Sequence, residues 1–255
     1  MRVNYHTHTY RCNHAVGTEE EYVREAIRGG VELLGFSDHS PQFFPGNYKS
    51  SIRMALEELP DYARNVLELK KNHANEIEIH LGVEIEYYPA SFPEIVPYLR
   101  DHGVEYMILG QHRCGNEMNE PYNGTPTEDE EILKRYSTQL MEGMQKGKFL
   151  YLAHPDLIYY VGPDAVYEKH MRRMCREAKS CGLPLEINLL GLREGRQYPK
   201  PLFWQIAAEE GCFAVLGSDA HDPRWVCDLE TEEAGKAMAK QYGLTLLEEL
   251  PITGI

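Results

Sequence analysis

Seven short apolar runs recur along the chain, and nearly all of them end in a histidine or a carboxylate. Val3-Asn4-Tyr5 leads into His6-Thr7-His8, and the run from Val31 to Phe36 leads into Ser37-Asp38-His39. Ile77 to Val83 ends in Glu84, Tyr106 to Gly110 in Gln111-His112-Arg113, and Phe149 to Ala153 in His154-Pro155-Asp156. Leu183 to Asn188 carries Glu186 and Asn188, and Phe213 to Ser218 delivers Asp219-Ala220-His221. Apolar runs of this length bounded by polar and turn residues read as buried strands. Between them lie stretches of helical periodicity. Thr18 to Glu21 is a capping box ahead of the stripe Tyr22, Val23, Ala26 and Ile27, and Gly29-Gly30 ends that helix. Further helices are expected over about 52–72, 93–101, 164–180 and 201–210, with another starting near Thr127. Strand and helix in strict alternation demand a parallel sheet, open or closed.

The polar strand ends favour closure. In a barrel every strand presents its carboxyl end at one mouth, so all these residues converge. An open doubly wound sheet gathers only the strands near its switch point and usually carries a glycine-rich nucleotide loop. Neither G-x-G-x-x-G nor G-x-x-x-x-G-K-[ST] occurs. The expected fold is α/β, a distorted seven-stranded (β/α)7 TIM-like barrel. No linker interrupts the alternation, so one domain over residues 1–255 is expected.

Composition narrows the partners. A net charge of -14 argues against a nucleic-acid or anionic-membrane surface, which needs clustered Lys and Arg. No apolar run reaches membrane-spanning length, and no signal sequence precedes the first strand. The six cysteines have no C-x-x-C spacing and read as reduced thiols, so a cytoplasmic location is expected.

Of eleven histidines, seven (His6, His8, His14, His39, His112, His154, His221) sit at or just past strand ends. His73, His80, His102 and His170 lie elsewhere and read as solvated or packing histidines. Glu84 and Asp219 join the seven. Neutral imidazole and carboxylate are the ligands of divalent transition metals, and one zinc takes three or four of them. Nine candidates therefore imply two or three ions, with a carboxylate such as Glu84 bridging.

With His6-Thr7-His8, His14, Ser37-Asp38-His39, Gly82-Val83-Glu84, His112, Ala153-His154-Pro155-Asp156, Glu186-Ile187-Asn188 and Gly217-Ser218-Asp219-Ala220-His221, the chain resembles the PHP (polymerase and histidinol phosphatase) superfamily, and more closely its histidinol-phosphate phosphatase branch. The resemblance implies a distorted seven-stranded barrel with a trinuclear metal centre. It groups His6, His8, Glu84 and Asp219 on one ion, Glu84, His112 and His154 on a second, and His14, His39 and His221 on a third. Members of that branch tend to have Ser-Val-His where this chain has Gln111-His112-Arg113.

Three divalent ions (Zn, Mn or Fe) against few carboxylates make a positive mouth that attracts a phosphate dianion and acidifies a bridging water. The expected reaction is phosphomonoester hydrolysis, most simply of L-histidinol phosphate, by in-line attack of that bridging hydroxide. Glu84, His154, Asp219 and Asp38 are the catalytic candidates. Arg193, Arg196 and Arg113 are candidates for the phosphate clamp, since a guanidinium fork suits phosphate. Asp38 and Asp156 could orient imidazoles or protonate the leaving oxygen, Glu186 and Asn188 could support the ligands, and the acidic loop Gly115 to Glu120 could meet the amine and imidazole of histidinol. Other readings are a phosphodiesterase of the same superfamily, which needs a basic track, an amidohydrolase, which needs a strand-end lysine, and a non-enzymatic metal-binding protein.

Overall fold

The computed structural model describes all 255 residues. Strands β1 (Val3–Asn4), β2 (Leu33–Phe36), β3 (Glu78–Ile85) and β4 (Tyr106–Leu109) pair in that order as one parallel sheet. A second parallel sheet holds β5 (Leu185–Asn188), β6 (Phe213–Gly217) and β7 (Thr245–Leu246). The expected strand over 149–153 is a short segment centred on Leu152, in which Leu150 and Ala153 donate to the Met107 and Leu109 carbonyls and Tyr151 accepts from the Leu109 N–H. Leu152 pairs in parallel with Leu109 on one side and Leu185 on the other, and Glu186 donates its N–H to the Leu152 carbonyl at 2.9 Å. Two residues later His154 adopts a left-handed backbone (φ 29°), which ends the extended segment. A second bridge, Thr7 to Ala220, joins the start of the chain to the end of β6. The result is a curled parallel sheet in parts of four and three strands, not seven continuous strands.

Eight helices surround the sheet: α1 (Glu19–Arg28), α2 (Leu59–Asn72), α3 (Phe92–Asp101), α4 (Glu130–Lys146), α5 (Asp164–Ser180), α6 (Leu189–Glu194), α7 (Pro201–Glu209) and α8 (Leu229–Tyr242). The Thr18–Glu21 capping box forms as expected. The helix expected from residue 52 begins only at Leu59, where Pro60 sits in the first turn after a short 3-10 turn over Leu56–Glu58. The one expected near Thr127 starts at Glu130, because the Asp129 carboxylate caps the Glu131 N–H at 2.8 Å. Strand β7 and helix α8 lie beyond the last feature read from the sequence.

Side-chain alternation along the strands divides the interior. Leu34, Ile79, Leu81, Val83, Met107, Leu109, Leu185 and Ile187 join the large core shared with Tyr22, Val66, Phe203 and Trp204 of the helices. Leu33, Tyr106, Ile108 and Val215 face the other way, and with Tyr5, Tyr151, Ala153 and Leu250 they form a smaller cluster inside the curl. The Tyr5 hydroxyl donates to the Leu250 carbonyl and accepts from the Leu250 N–H, both at 2.9 Å, tying the C-terminal tail beneath this inner cluster. The inner face thus starts apolar at the amino ends of the strands and becomes polar at their carboxyl ends, where the site lies. No helix is long and apolar enough to cross a membrane, and all six cysteines are free.

Candidate metal centre

Past β1, the chain carries His6 and His8 side by side, their Nε2 atoms 3.1 Å apart. Glu84, near the end of β3, sits at the centre. Its Oε2 lies 2.9 Å from His39 Nδ1, 3.6 Å from His8 Nε2 and 3.7 Å from His6 Nε2. Its Oε1 lies 2.7 Å from His154 Nε2 and 3.7 Å from His112 Nε2. From the end of β6, Asp219 Oδ1 approaches His8 Nε2 at 3.1 Å and His6 Nε2 at 3.5 Å. His221 and His14 meet at the rim with Nε2 atoms 3.0 Å apart. All nine candidates are therefore brought together. Convergent groups with atoms within 4.8 Å of one another are His6-His8-Asp219, His6-Glu84-His154, His8-His39-Glu84, His14-His39-His221 and His8-Cys12-His221. His112 stands slightly outside these groups, and Cys12 enters one without having been foreseen.

Most imidazoles are held from behind through Nδ1, which leaves Nε2 pointing inward. Glu186 Oε1 holds His6 at 2.6 Å, Asp38 Oδ1 lies 3.4 Å from His8, and Glu86 Oε1 holds His112 at 3.0 Å. Backbone carbonyls do the same for His14 (from Cys12, 2.6 Å) and His221 (from Asp219, 3.1 Å). A carboxylate or carbonyl behind a histidine sets its tautomer and its direction. These supports are themselves anchored. Asp38 accepts from the Thr9 N–H and hydroxyl and from the His39 N–H, and Glu186 accepts from the His154 N–H and Asn188. Glu86 is gripped by Arg53 through two 2.8 Å bonds, and Arg53 also donates to Glu117 at 2.6 Å and to the Ser40 carbonyl. The sequence reading missed Glu86 and Arg53, although Glu86 lies two residues beyond Glu84, just past the end of β3.

Burial opposes charge on Glu84, yet the imidazoles of His112, His39 and His154 hold its carboxyl well below the usual range. Asp219 is held low against burial in the same way by His6, His8 and His221. Burial pushes His39 down to about 3, and it also lowers His14 and His221, which are crowded by neighbouring imidazoles. Those three are neutral at pH 7 and free to bind a cation. Against burial, Asp219 and Asp38 raise His8 to about 9, Glu186 raises His6, and Glu84 raises His154.

A divalent metal fits this donor set. Asp38, Glu84, Glu86, Glu186 and Asp219 are all buried, and of these only Glu86 is paired with an arginine. Both oxygens of Glu84, Oδ1 of Asp219 and Nδ1 of His39 are buried, and their close contacts with neighbouring side chains are not aligned as hydrogen bonds. Buried anions left this way are costly unless cations lie between them, and nitrogen and oxygen donors suit divalent transition metals. The left-handed backbone of His154 and of Asp219 (φ 47°) marks both as positions held in place by their surroundings.

A cavity of about 480 Å³ opens over this cluster. His14, His39, Glu84, His112, Asp219 and His221 form its floor, and Arg113, Tyr122, Glu194, Arg196, Ser51 and Ile52 stand around it. Arg193 is not brought to it. Helix α6 directs that guanidinium over the Trp225 ring, 4.6 Å from its centroid, and toward Asp228 at 3.9 Å. Asp156 also misses the cavity, held instead by the backbone N–H of Lys200, and burial pushes its carboxyl up to about 7. In the acidic loop, Glu117 pairs with Arg53 and Tyr48, and Glu120 pairs with Arg135, so neither lines the cavity. His73, His80 and His170 bond to surface glutamates and His102 to the Tyr98 carbonyl, away from the site as expected.

A family model for the PHP domain matches residues 4–189. A probable histidinol-phosphatase of Deinococcus radiodurans is 33% identical over 86% of this chain and 85% of its own. Among solved structures, a histidinol phosphate phosphatase of Lactococcus lactis, complexed with zinc, L-histidinol and phosphate, shares the fold. It is 22% identical, with a TM-score of 0.75 over 96% of this chain and 95% of that one. A putative histidinol phosphatase of Listeria monocytogenes does so at 19% identity, with a TM-score of 0.73 over 90% of this chain and 99% of its own. With the family match and the Deinococcus relative both spanning most of its length, the chain belongs to the PHP domain family.

Proposed function

We propose that the chain is a metal-dependent phosphomonoesterase that hydrolyses L-histidinol phosphate to L-histidinol and phosphate. One observation carries the reading: a cavity floored by the buried His and carboxylate cluster is rimmed by Arg113 and Arg196. The named activity of the Deinococcus relative supports the substrate, and the Lactococcus structure with zinc, L-histidinol and phosphate agrees with it. Three divalent ions, Zn, Mn or Fe, are assigned to His6, His8, His14, His39, Glu84, His112, His154, Asp219 and His221. When bound, such ions polarise phosphoryl oxygens and acidify water.

The protein's own residues do the rest. Glu84 and Asp219, held ionised, supply the negative charge that keeps cations in a buried place. Glu186, Asp38 and Glu86 fix His6, His8 and His112 with Nε2 inward, so little reorganisation is left to the moment of reaction. Arg113 and Arg196 bind the non-bridging phosphoryl oxygens as they gain charge. We read the two sheet parts as one distorted seven-stranded barrel, a reading supported by the bridges at Leu152 and Thr7.

The test is phosphate release by the metal-loaded protein from L-histidinol phosphate, p-nitrophenyl phosphate and bis-p-nitrophenyl phosphate. L-Histidinol phosphate is expected to be turned over with the highest kcat/KM. Faster cleavage of the diester, or no release from any monoester, would refute the assignment.

A further inference from the structure

Beyond the residues assigned to metal and phosphate, the cavity contains one more charged group, Glu194. Glu84 and Asp219 are the only other carboxylates lining it, and both are committed to the cluster. Glu194 is the last residue of α6. Gly195 follows with φ 61°, a left-handed turn in which nothing lies near the missing side chain, and this reversal sets Arg196 beside Glu194. Arg196 Nε and Nη2 reach Glu194 at 2.8 and 2.7 Å, and both fall on Oε2. The second carboxylate oxygen has no partner in the protein, and the side chain, 46% exposed, lines the cavity. Arg196 Nη1 donates to the Tyr198 hydroxyl at 2.9 Å, which holds the guanidinium in place.

The rim therefore presents a cation and an anion side by side, fixed relative to one another. A simple phosphate ester uses only the cation. An ester whose ammonium group sits on the carbon next to the phosphorylated one carries both opposite charges at matching close range. We propose that Glu194 is the specificity residue of this site, accepting the substrate's ammonium group while Arg196 takes its phosphoryl oxygens, so that the site selects vicinal amino-alkyl phosphates. This rests on the phosphatase reading above and adds the chemical class the site prefers.

The experiment compares kcat/KM for L-histidinol phosphate and for its analogue lacking the amine, in wild-type protein, Glu194→Gln and Arg196→Ala. Wild type should favour the amino ester. Glu194→Gln should lower that preference by about tenfold or more, the weight of one charge-assisted hydrogen bond. Arg196→Ala should depress both esters and leave their ratio near the wild-type value. Calorimetric binding of L-histidinol, which has the ammonium but no phosphate, should weaken in Glu194→Gln by a similar factor. If Glu194→Gln lowers both esters equally and binds L-histidinol normally, Glu194 merely steadies Arg196 and the specificity role is overturned while the phosphatase reading stands. If wild-type protein releases phosphate from the amine-free ester but not from L-histidinol phosphate, the specificity role and the histidinol-phosphate substrate fall together while phosphomonoester hydrolysis stands.

Discussion

Gly110 provides the sharpest test of Glu84 as the hub of the centre. A Cβ built at position 110 would lie 2.0 Å from Glu84 Oε1, 2.9 Å from its carboxyl carbon and 3.0 Å from His154 Cε1. Non-bonded carbon and oxygen need roughly 3.5 Å, so in Gly110→Ala the carboxylate must retreat by about 1.5 Å. It has nowhere to go. Glu84 is 1% exposed and is ringed by His6, His8, His39, His112 and His154. Overpacking of this kind costs about 1–3 kcal/mol. The effect on chemistry is larger, because a working constellation tolerates about 0.5 Å and a 1 Å displacement can cost about a hundredfold. Gly110→Ala should therefore lose at least one metal ion by elemental analysis, and its phosphate release should fall about a hundredfold or more. Gly143→Ala on α4 is the control. Its Cβ would meet Tyr87 at 2.9 Å, milder crowding with no candidate ligand beside it, so it should keep its metal. If Gly110→Ala carries the wild-type metal complement and turns over normally, Glu84 is not where the ions meet.

Three further outcomes are expected. Arg53→Met leaves Glu86 and Glu117 buried without their counter-charge, so it should destabilise by about 3–5 kcal/mol in urea unfolding; a loss under 1 kcal/mol would show the network to be dispensable. Glu84→Gln removes the charge between neighbouring cations and should lose an ion and nearly all activity, whereas His14→Ala should keep the ions bound by Glu84 and retain residual turnover; metal analysis and phosphate release on both variants check this. His80, Lys70 and the Leu81 N–H overcome burial to lower the Glu105 carboxyl from 4.5 to about 2. A depressed carboxylate contributes stability that is fully present above its unfolded value and is lost as pH falls through the folded one. The difference in unfolding free energy between wild type and Glu105→Gln should thus be level between about pH 5 and 6, where His80 keeps its charge, and shrink between 4.5 and 2; a gap that persists unchanged at pH 2 would contradict this.

Much of the centre was legible because strand ends in a parallel sheet share one mouth, so residues from His6 to His221 could be gathered without any knowledge of contacts. Their supports were less legible. Arg53 and Glu86 are 33 residues apart, and no local pattern encodes that ion pair. The arginines show the same limit. Arg193 and Arg196 occupy one short stretch, but Arg193 lies within α6 and is turned toward Trp225, while Arg196 follows the Gly195 reversal and faces the cavity. The segment expected as a strand at 149–153 does bond to both neighbours but stays short, because apolar content does not reveal that His154 leaves the extended path at once. β7 was missed because two residues, Thr245 and Leu246, carry no periodicity to detect.

The seam at Leu152 has a mechanical consequence. The two sheet parts meet there through one short segment bonded to both neighbours, and again where His6 and His8 bond to Ala220, so both joints are narrow. The proposed ligands straddle these seams. His6, His8, His39, Glu84 and His112 come from the first part, Asp219 and His221 from the second, and His154 from the join itself. Bound ions would then act as cross-links, doing for this chain of free thiols what disulfides do for secreted proteins. Chelation would remove these cross-links and leave the backbone bonds of the two joints to hold the parts together.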